Sequence, residues 1–170
     1  DQAEERLYHF QFFFFFTAGV THELTVQNIY DDCNNQLSSQ IIPFVYYEAQ
    51  LFDVVINEIM ADPSPTIGLP DEEYLEIYNR SDYDINLTSW SLKIGSKTKT
   101  FPATTIGSKS YLILTSSDGY NQMQNYGDVV DLIGASDLTN AGNDVSLYNQ
   151  LGQFIHSVSY SDSWYNDSYK

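Results

Sequence analysis

Short apolar or alternating runs, separated by clusters of Gly, Pro, Asn, Asp and Ser, recur along the chain and constrain its fold more than any other feature. Runs of this length and spacing are typical of strands in a sandwich or barrel. No window places apolar residues at i, i+3, i+4 and i+7 over three helical turns. The sequence therefore predicts an all-β protein. The predicted strands are 7–16, 22–30 and 40–48 in a first block, and 53–59, 73–79, 84–87, 90–95, 98–101, 110–115, 128–132, 144–149 and 153–160 in a second.

The charge of the chain excludes one large class of partners. Seven Lys and Arg against 23 Asp and Glu give a net charge of −16. A surface this acidic repels nucleic-acid backbones and anionic lipid headgroups. No apolar run reaches the ~18 residues that a transmembrane helix needs. We therefore expect no nucleic-acid binding and no direct membrane insertion.

The second block carries an ordered set of motifs. They are Val54–Met60, Glu73–Asn79, Ile85–Leu92, Tyr111–Thr115, Leu138–Leu147 and Gly152–Tyr160. In this order and spacing they resemble the lamin tail domain in its bacterial surface-protein form, over roughly residues 51–165. The resemblance implies an immunoglobulin-like β-sandwich for the region 51–170.

Alternation within these motifs predicts which side chains are structural. In the stretch 73–79, Leu75 and Ile77 fall on one face, while Tyr74, Glu76 and Tyr78 fall on the other. Leu75 and Ile77 are therefore predicted core residues. Leu87 and Trp90 flank a tight turn and are predicted to pack in the core as well. Gly142 is predicted to supply the permissive backbone of a sharp turn.

The first block, residues 1–50, resembles the end of a bacterial immunoglobulin-like surface module. The residues that carry this resemblance are Leu24–Asp31, Asn35 and Phe44–Tyr47. They cover about 40 residues, fewer than the ~100 of a whole sandwich of this class. We therefore expect extra N-terminal strands from a partial preceding domain. Their exposed, aromatic-rich edges predict a dimer through these strands.

The search for catalytic chemistry yields no site. The single cysteine, Cys33, forms no disulfide scaffold, and the three histidines stand apart in the sequence. No nucleophile elbow, P-loop or dinucleotide fingerprint is present. The sequence therefore predicts that the protein is not an enzyme and has no catalytic residues and no organic cofactor.

Calcium is the one metal for which the sequence offers ligands. Asp62, Asp71 and Glu72 bracket a loop that contains Pro and Gly, and their carboxylates are the oxygen ligands that Ca²⁺ prefers. The spacing differs from that of the twelve-residue helix–loop–helix motif. A solvated acidic loop is the alternative interpretation.

Three functional hypotheses follow. The resemblance implies a non-catalytic binding or tethering module of a secreted or cell-surface protein, and hence an extracytoplasmic location. Exposed tyrosines suit contact with a protein or glycan of the cell envelope, because Tyr offers area and a polar tip at low entropic cost. One alternative is a purely architectural spacer. The other is a carbohydrate-active enzyme or accessory domain, in which an enzyme needs two carboxylates ~5–10 Å apart in a cleft.

Overall fold

The structure, a computed structural model, describes residues 15–164 and divides into two units, Asp1–Glu48 and Ala49–Lys170. The first unit contains β1 (Thr21–Val26) and β2 (Gln40–Val45). The strands of the second unit are β3 (Val54–Met60), β4 (Tyr74–Asn79), β5 (Ile85–Asn86), β6 (Ser91–Ile94), β7 (Lys97–Thr100), β8 (Thr105–Ile106), β9 (Tyr111–Thr115), β10 (Val129–Asp131), β11 (Gly142–Tyr148) and β12 (Phe154–Ser161). A helix α1 (Ser117–Met123) follows β9, and a 3-10 helix (Asp162–Trp164) follows β12.

The second unit is an immunoglobulin-like β-sandwich. One sheet has the strand order β10-β9-β4-β3 and is called sheet 1; the other has the order β12-β11-β6-β7 and is called sheet 2. All neighbours pair antiparallel except β9 and β10, which run parallel. The short strands β5 and β8 form a separate pair.

The core of the sandwich is built from alternating apolar positions of both sheets. Leu75 and Ile77 of β4, which alternation places on one face, are buried, and so are Leu87 and Trp90 at the turn that they flank. The backbone N–H of Trp90 donates to the Leu87 carbonyl at 2.9 Å, so these two residues close a tight turn. Burial of apolar side chains on this scale is the main stabilising contribution to such a fold.

Gly142 opens β11 in a conformation that a larger residue would strain. Its φ is +126°, and a Cβ placed there would lie 2.8 Å from the Ser161 Cα and closer still to the Tyr160 carbonyl oxygen. Glycine is therefore required for the close approach of β11 to β12.

Two turn predictions are wrong in detail. Ser, Asp, Gly and Asn at 117–121 are turn residues and predict a turn, but this segment lies in α1, a short helix with Ser116 as its N-cap. Asn149 and Gly152 are both suited to a positive φ in the hairpin at 148–153, whereas only Gly152 adopts one, at +75°. Asn149 instead accepts the N–H groups of Leu151 and Gln153 with its side-chain oxygen.

In the described part of the first unit, β1 and β2 form a hairpin that pairs from Thr21 opposite Val45 to Val26 opposite Gln40. β1 ends sooner than the predicted strand 22–30, because Asn28 turns the chain with a φ of +59°. Phe16 packs its ring against those of His22 and Phe44. The predicted strand 7–16 falls largely outside the described residues. Derivation of this hairpin from a preceding immunoglobulin-like module, and dimerisation through it, stay predictions.

Candidate binding face

The outer face of sheet 1, which points away from the core of the sandwich, is divided into two halves. At one end, α1 and the loop after β3 cover a small second cluster of buried side chains. At the other end the same face is open to solvent. The division follows from the position of α1, which comes directly after β9 and packs against β9 and β10.

α1 is fixed to the sheet by its first turn. The N-cap Ser116 accepts the Gly119 N–H at 3.1 Å, which satisfies one of the free amides at the helix start. Glu72 accepts a hydrogen bond of 2.8 Å from the Gln122 side chain, and so ties the helix to the segment before β4. Gly119 lies against Glu72 and Thr115, so a side chain there would separate helix and sheet.

The covered half forms around three buried residues, Tyr74, Ile113 and Met123. Tyr74 lies on the predicted outer face of β4, yet α1 buries it, so that it is only 5% exposed. Its hydroxyl donates to Glu58 at 2.6 Å. Sequence alternation found the face of Tyr74 but gave no sign of the helix that covers it.

The open half presents Val55, Tyr78 and Tyr111, which we call the tyrosine face. These residues lie opposite one another on β3, β4 and β9. The rings of Tyr78 and Tyr111 stack with their centroids 4.5 Å apart and their planes at 28°. Tyr111 remains 51% exposed. Two aromatic side chains are thus held rigidly at the surface in a conformation that each stabilises for the other.

Carboxylates adjoin the tyrosine face. Glu76 and Glu58 lie directly opposite each other on β4 and β3. Glu76 accepts a hydrogen bond of 2.8 Å from the Asn57 side chain, at the β-bulge of β3. Hydrogen bonding holds these acidic groups in fixed positions beside the aromatic pair.

The calcium candidates all lie within the segment 61–73 that joins β3 and β4. The Glu72 carboxylate accepts a hydrogen bond from the Gln122 side chain of α1 and a second one, of 3.4 Å, from the Ser116 hydroxyl. Asp71 is exposed, and Asp62 is half-buried. Across residues 15–164, His, Cys, Asp and Glu side chains form no group of three or more that could hold a metal ion. Calcium binding by Asp62, Asp71 and Glu72 stays a prediction.

The neighbouring carboxylates of Asp31 and Asp32 belong to a tight turn. Asp31 accepts hydrogen bonds from the Asn35 side chain and from the backbone N–H groups of Asn35 and Cys33. The side-chain bond from Asn35 is the main cause that lowers the pKa of Asp31. Cys33 is an exposed free thiol. The contacts of Asp31 are those of a residue that shapes a turn.

His156 has a role that its isolation in the sequence did not indicate. It lies on β12 of sheet 2, and its Nδ1 accepts the Ile56 N–H of β3 at 3.0 Å. The ring of Phe52 packs edge-on against it, with centroids 5.8 Å apart. Burial, and after it the positive charge of Arg80, lowers the pKa of His156. Neutral His156 therefore links the edges of the two sheets.

The two packed sheets and their strand order are those of an immunoglobulin-like domain. A family model for the Lamin Tail Domain matches residues 48–162, and the chain belongs to this family. The family is a non-catalytic, immunoglobulin-like one. No curated protein matches the chain. Over the part of the chain that the structure describes, no helix is long and apolar enough to cross a bilayer.

Proposed function

We propose that the protein is a non-catalytic binding or tethering module of a secreted or cell-surface protein, and that it holds its partner on the tyrosine face. The observation that carries the proposal is the stacked Tyr78–Tyr111 pair, left open at the uncovered end of sheet 1. Aromatic side chains already fixed in place lose little entropy on binding, and they bury large areas. The partner is a protein or glycan of the cell envelope.

The division of sheet 1 supports this proposal. The same sheet face buries Tyr74 beneath α1 and leaves Tyr111 more than half exposed, so the covering of the face is incomplete at one end only. Exposed apolar surface bordered by polar groups is typical of interaction sites. Glu76 and Glu58 supply such a polar border and add hydrogen-bond acceptors for a partner.

Binding of purified cell-envelope polysaccharide and protein fractions to the immobilised protein tests the proposal. We expect Tyr78→Ser and Tyr111→Ser each to weaken binding roughly tenfold or more, which corresponds to the loss of one aromatic contact at an interface. Tyr111→Phe retains the ring, so it separates stacking from hydrogen bonding by the hydroxyl.

Tyr126→Ser is the matched control, because Tyr126 is 52% exposed, close to the 51% of Tyr111, and lies off the tyrosine face. This variant is expected to bind like the wild type. Equal binding by all variants would place the site elsewhere. Absence of binding to every fraction would instead favour the architectural spacer.

A further inference from the structure

A groove of about 700 Å³ follows the free edge of sheet 1. β10 is the terminal strand of that sheet, and one wall of the groove is formed by β10 and the two residues before it. Residues 102–104, between β7 and β8, and Thr105 of β8 line the groove too, as do Tyr120 of α1 and its C-cap Gln124. The free edge of sheet 1 therefore borders this open groove.

The hydrogen-bond pattern shows which backbone groups of β10 are offered to this groove. Toward β9, the Asp128 carbonyl accepts the Ile113 N–H, and the Leu132 N–H donates to the Thr115 carbonyl. Successive residues of a strand direct their N–H and C=O groups to opposite sides. Val129 and Asp131, which alternate with Asp128 and Leu132, therefore turn their N–H and C=O groups away from β9 and toward the edge.

The other terminal strands are less suited to accept an added strand. β3 is interrupted by its bulge, and its Ile56 N–H is already bonded to His156. On β12, the Ile155 carbonyl accepts the Phe52 N–H. β7 carries Lys97 and Lys99, both of which pair with Asp137. Bulges and lysines of this kind protect edges from pairing.

The charge of the groove selects among extended peptides. Of the described residues that line it, two are acidic, Asp128 and Asp131, and none is Lys, Arg or His. Both aspartates are exposed. The chain as a whole carries a net charge of −16, so its field attracts cationic partners.

We propose that β10 accepts an extended basic peptide segment of a partner protein as an added strand. The backbone groups of Val129 and Asp131 supply the hydrogen bonds, and Asp128 and Asp131 pair with Lys or Arg side chains of the peptide. Main-chain bonds give affinity in this mode of recognition, and side chains give specificity. The site is separate from the tyrosine face, and it holds whether or not that face binds a partner.

A peptide that carries fluorescein on its N-terminus, fluorescein-Thr-Val-Lys-Val-Lys-Val-Thr-amide, probes the site by fluorescence anisotropy. Asp131→Pro removes the outward N–H while leaving the bonds to β9, and proline is tolerated at such edge positions. We expect it to weaken binding about tenfold, the effect of one lost hydrogen bond together with one lost charge contact. Asp131→Asn, which keeps the N–H, is expected to weaken binding about threefold at low salt.

Hydrogen exchange gives a second readout at the residues concerned. In the complex, the amides of Val129 and Asp131 should exchange more slowly than in the free protein. Two control peptides accompany the probe: one has Glu in place of Lys, and the other is N-methylated at alternate residues. Neither is expected to bind. Asp118→Asn is the control variant, because Asp118 is an exposed carboxylate outside the groove, and it should bind the basic peptide as the wild type does.

Three results would overturn the proposal. The first is failure of the basic peptide to bind. The second is binding by Asp131→Pro as tight as that of the wild type, once a thermal melt has shown that the variant is folded. The edge would then not be the site. The third is a concentration-dependent dimer that Asp131→Pro abolishes, since the occupant of the edge would then be a second copy of the chain.

Discussion

Asn79 shows how one buried amide organises a whole corner of the sandwich. It is completely buried at the end of β4. Its Nδ2 donates to the carbonyls of Tyr83 and Gly107 at 2.7 and 2.9 Å, and its Oδ1 accepts from the Ser81 N–H and hydroxyl. One side chain thereby satisfies polar groups from two different turns.

Replacement of Asn79 by alanine should lower the free energy of unfolding by about 2–4 kcal/mol, because several buried polar groups would lose their partner. Urea denaturation measures the change. Asn86→Ala is the control: Asn86 is exposed and accepts only the Thr88 N–H among its described contacts, so the loss should stay within about 0.5 kcal/mol. A cost below about 1 kcal/mol for Asn79→Ala would contradict this account.

The residue scale is also where the sequence is most informative. Period-two alternation placed Leu75 and Ile77 on one face and Glu76 and Tyr78 on the other, since the pleat dictates this arrangement. The stacking partner of Tyr78 was not predicted. Tyr111 stands about thirty residues further along, and only the register of β4 and β9 brings the two together.

At the scale of elements, the segment before β11 is held to β7 by a charged clip. Asp137 is 6% exposed and contacts the Nζ atoms of both Lys97 and Lys99 at 2.7 Å. It also accepts the Gly134 N–H at 2.6 Å. Burial alone would raise the pKa of Asp137, but the hydrogen bonds from Lys97 and Lys99 outweigh it and lower the pKa to about 2.

Because this pKa is lowered, the clip stabilises the fold above the usual value of 3.8, and the contribution is lost as the pH falls toward about 2. Asp137→Asn should therefore cost about 2 kcal/mol at pH 7 and much less near pH 2. Chemical denaturation at both pH values measures the difference. Asp82→Asn, which removes an exposed pair with Lys109, should change little at either pH. An equal cost at both pH values would argue against the clip.

α1 marks the limit of prediction at this scale. Its sequence, Ser-Asp-Gly-Tyr-Asn-Gln-Met, contains weak helix formers and spans only seven residues. A helix this short is not stable alone and depends on its cap and its packing. Periodicity therefore gave no signal for it, and the covered half of sheet 1 could not be foreseen.

At the scale of the whole molecule, the contact between His156 and Ile56 makes stability depend on pH. Nδ1 accepts a hydrogen bond only while it is unprotonated. Since the folded protein lowers the pKa of His156, its contribution is complete above the usual value of 6.5 and is lost as the pH falls below it.

His156→Asn retains an acceptor at the corresponding position and does not titrate. We expect the melting temperature of the wild type to fall more steeply than that of the variant between pH 7.5 and pH 5, with a loss of about 1 kcal/mol for the bond. His22→Asn, in the first unit, should keep the wild-type slope. Identical slopes for the wild type and His156→Asn would show that this contact does not make the melting temperature depend on pH.

Much of the overall architecture could be predicted from the sequence. The ordered motifs from Val54 to Tyr160 predicted the family and the sandwich, because each motif is a local strand signal and their order is specific. The bond between His156 and Ile56 spans 100 positions in the sequence. Such a contact depends on how the two sheets pack against each other, so no local sequence pattern predicts it.

The pairing of β3 with the segment around His156 has a mechanical consequence. Among the described residues, β3 is the first strand of the sandwich and β12 the last, so a module that tethers two neighbours would carry tension between these strands. The hydrogen bonds from Phe52 N–H to the Ile155 carbonyl and from Ile56 N–H to His156 would then bear load early. Protonation of His156 removes one of them, so the force at which the module yields would be lower in acid than at neutral pH.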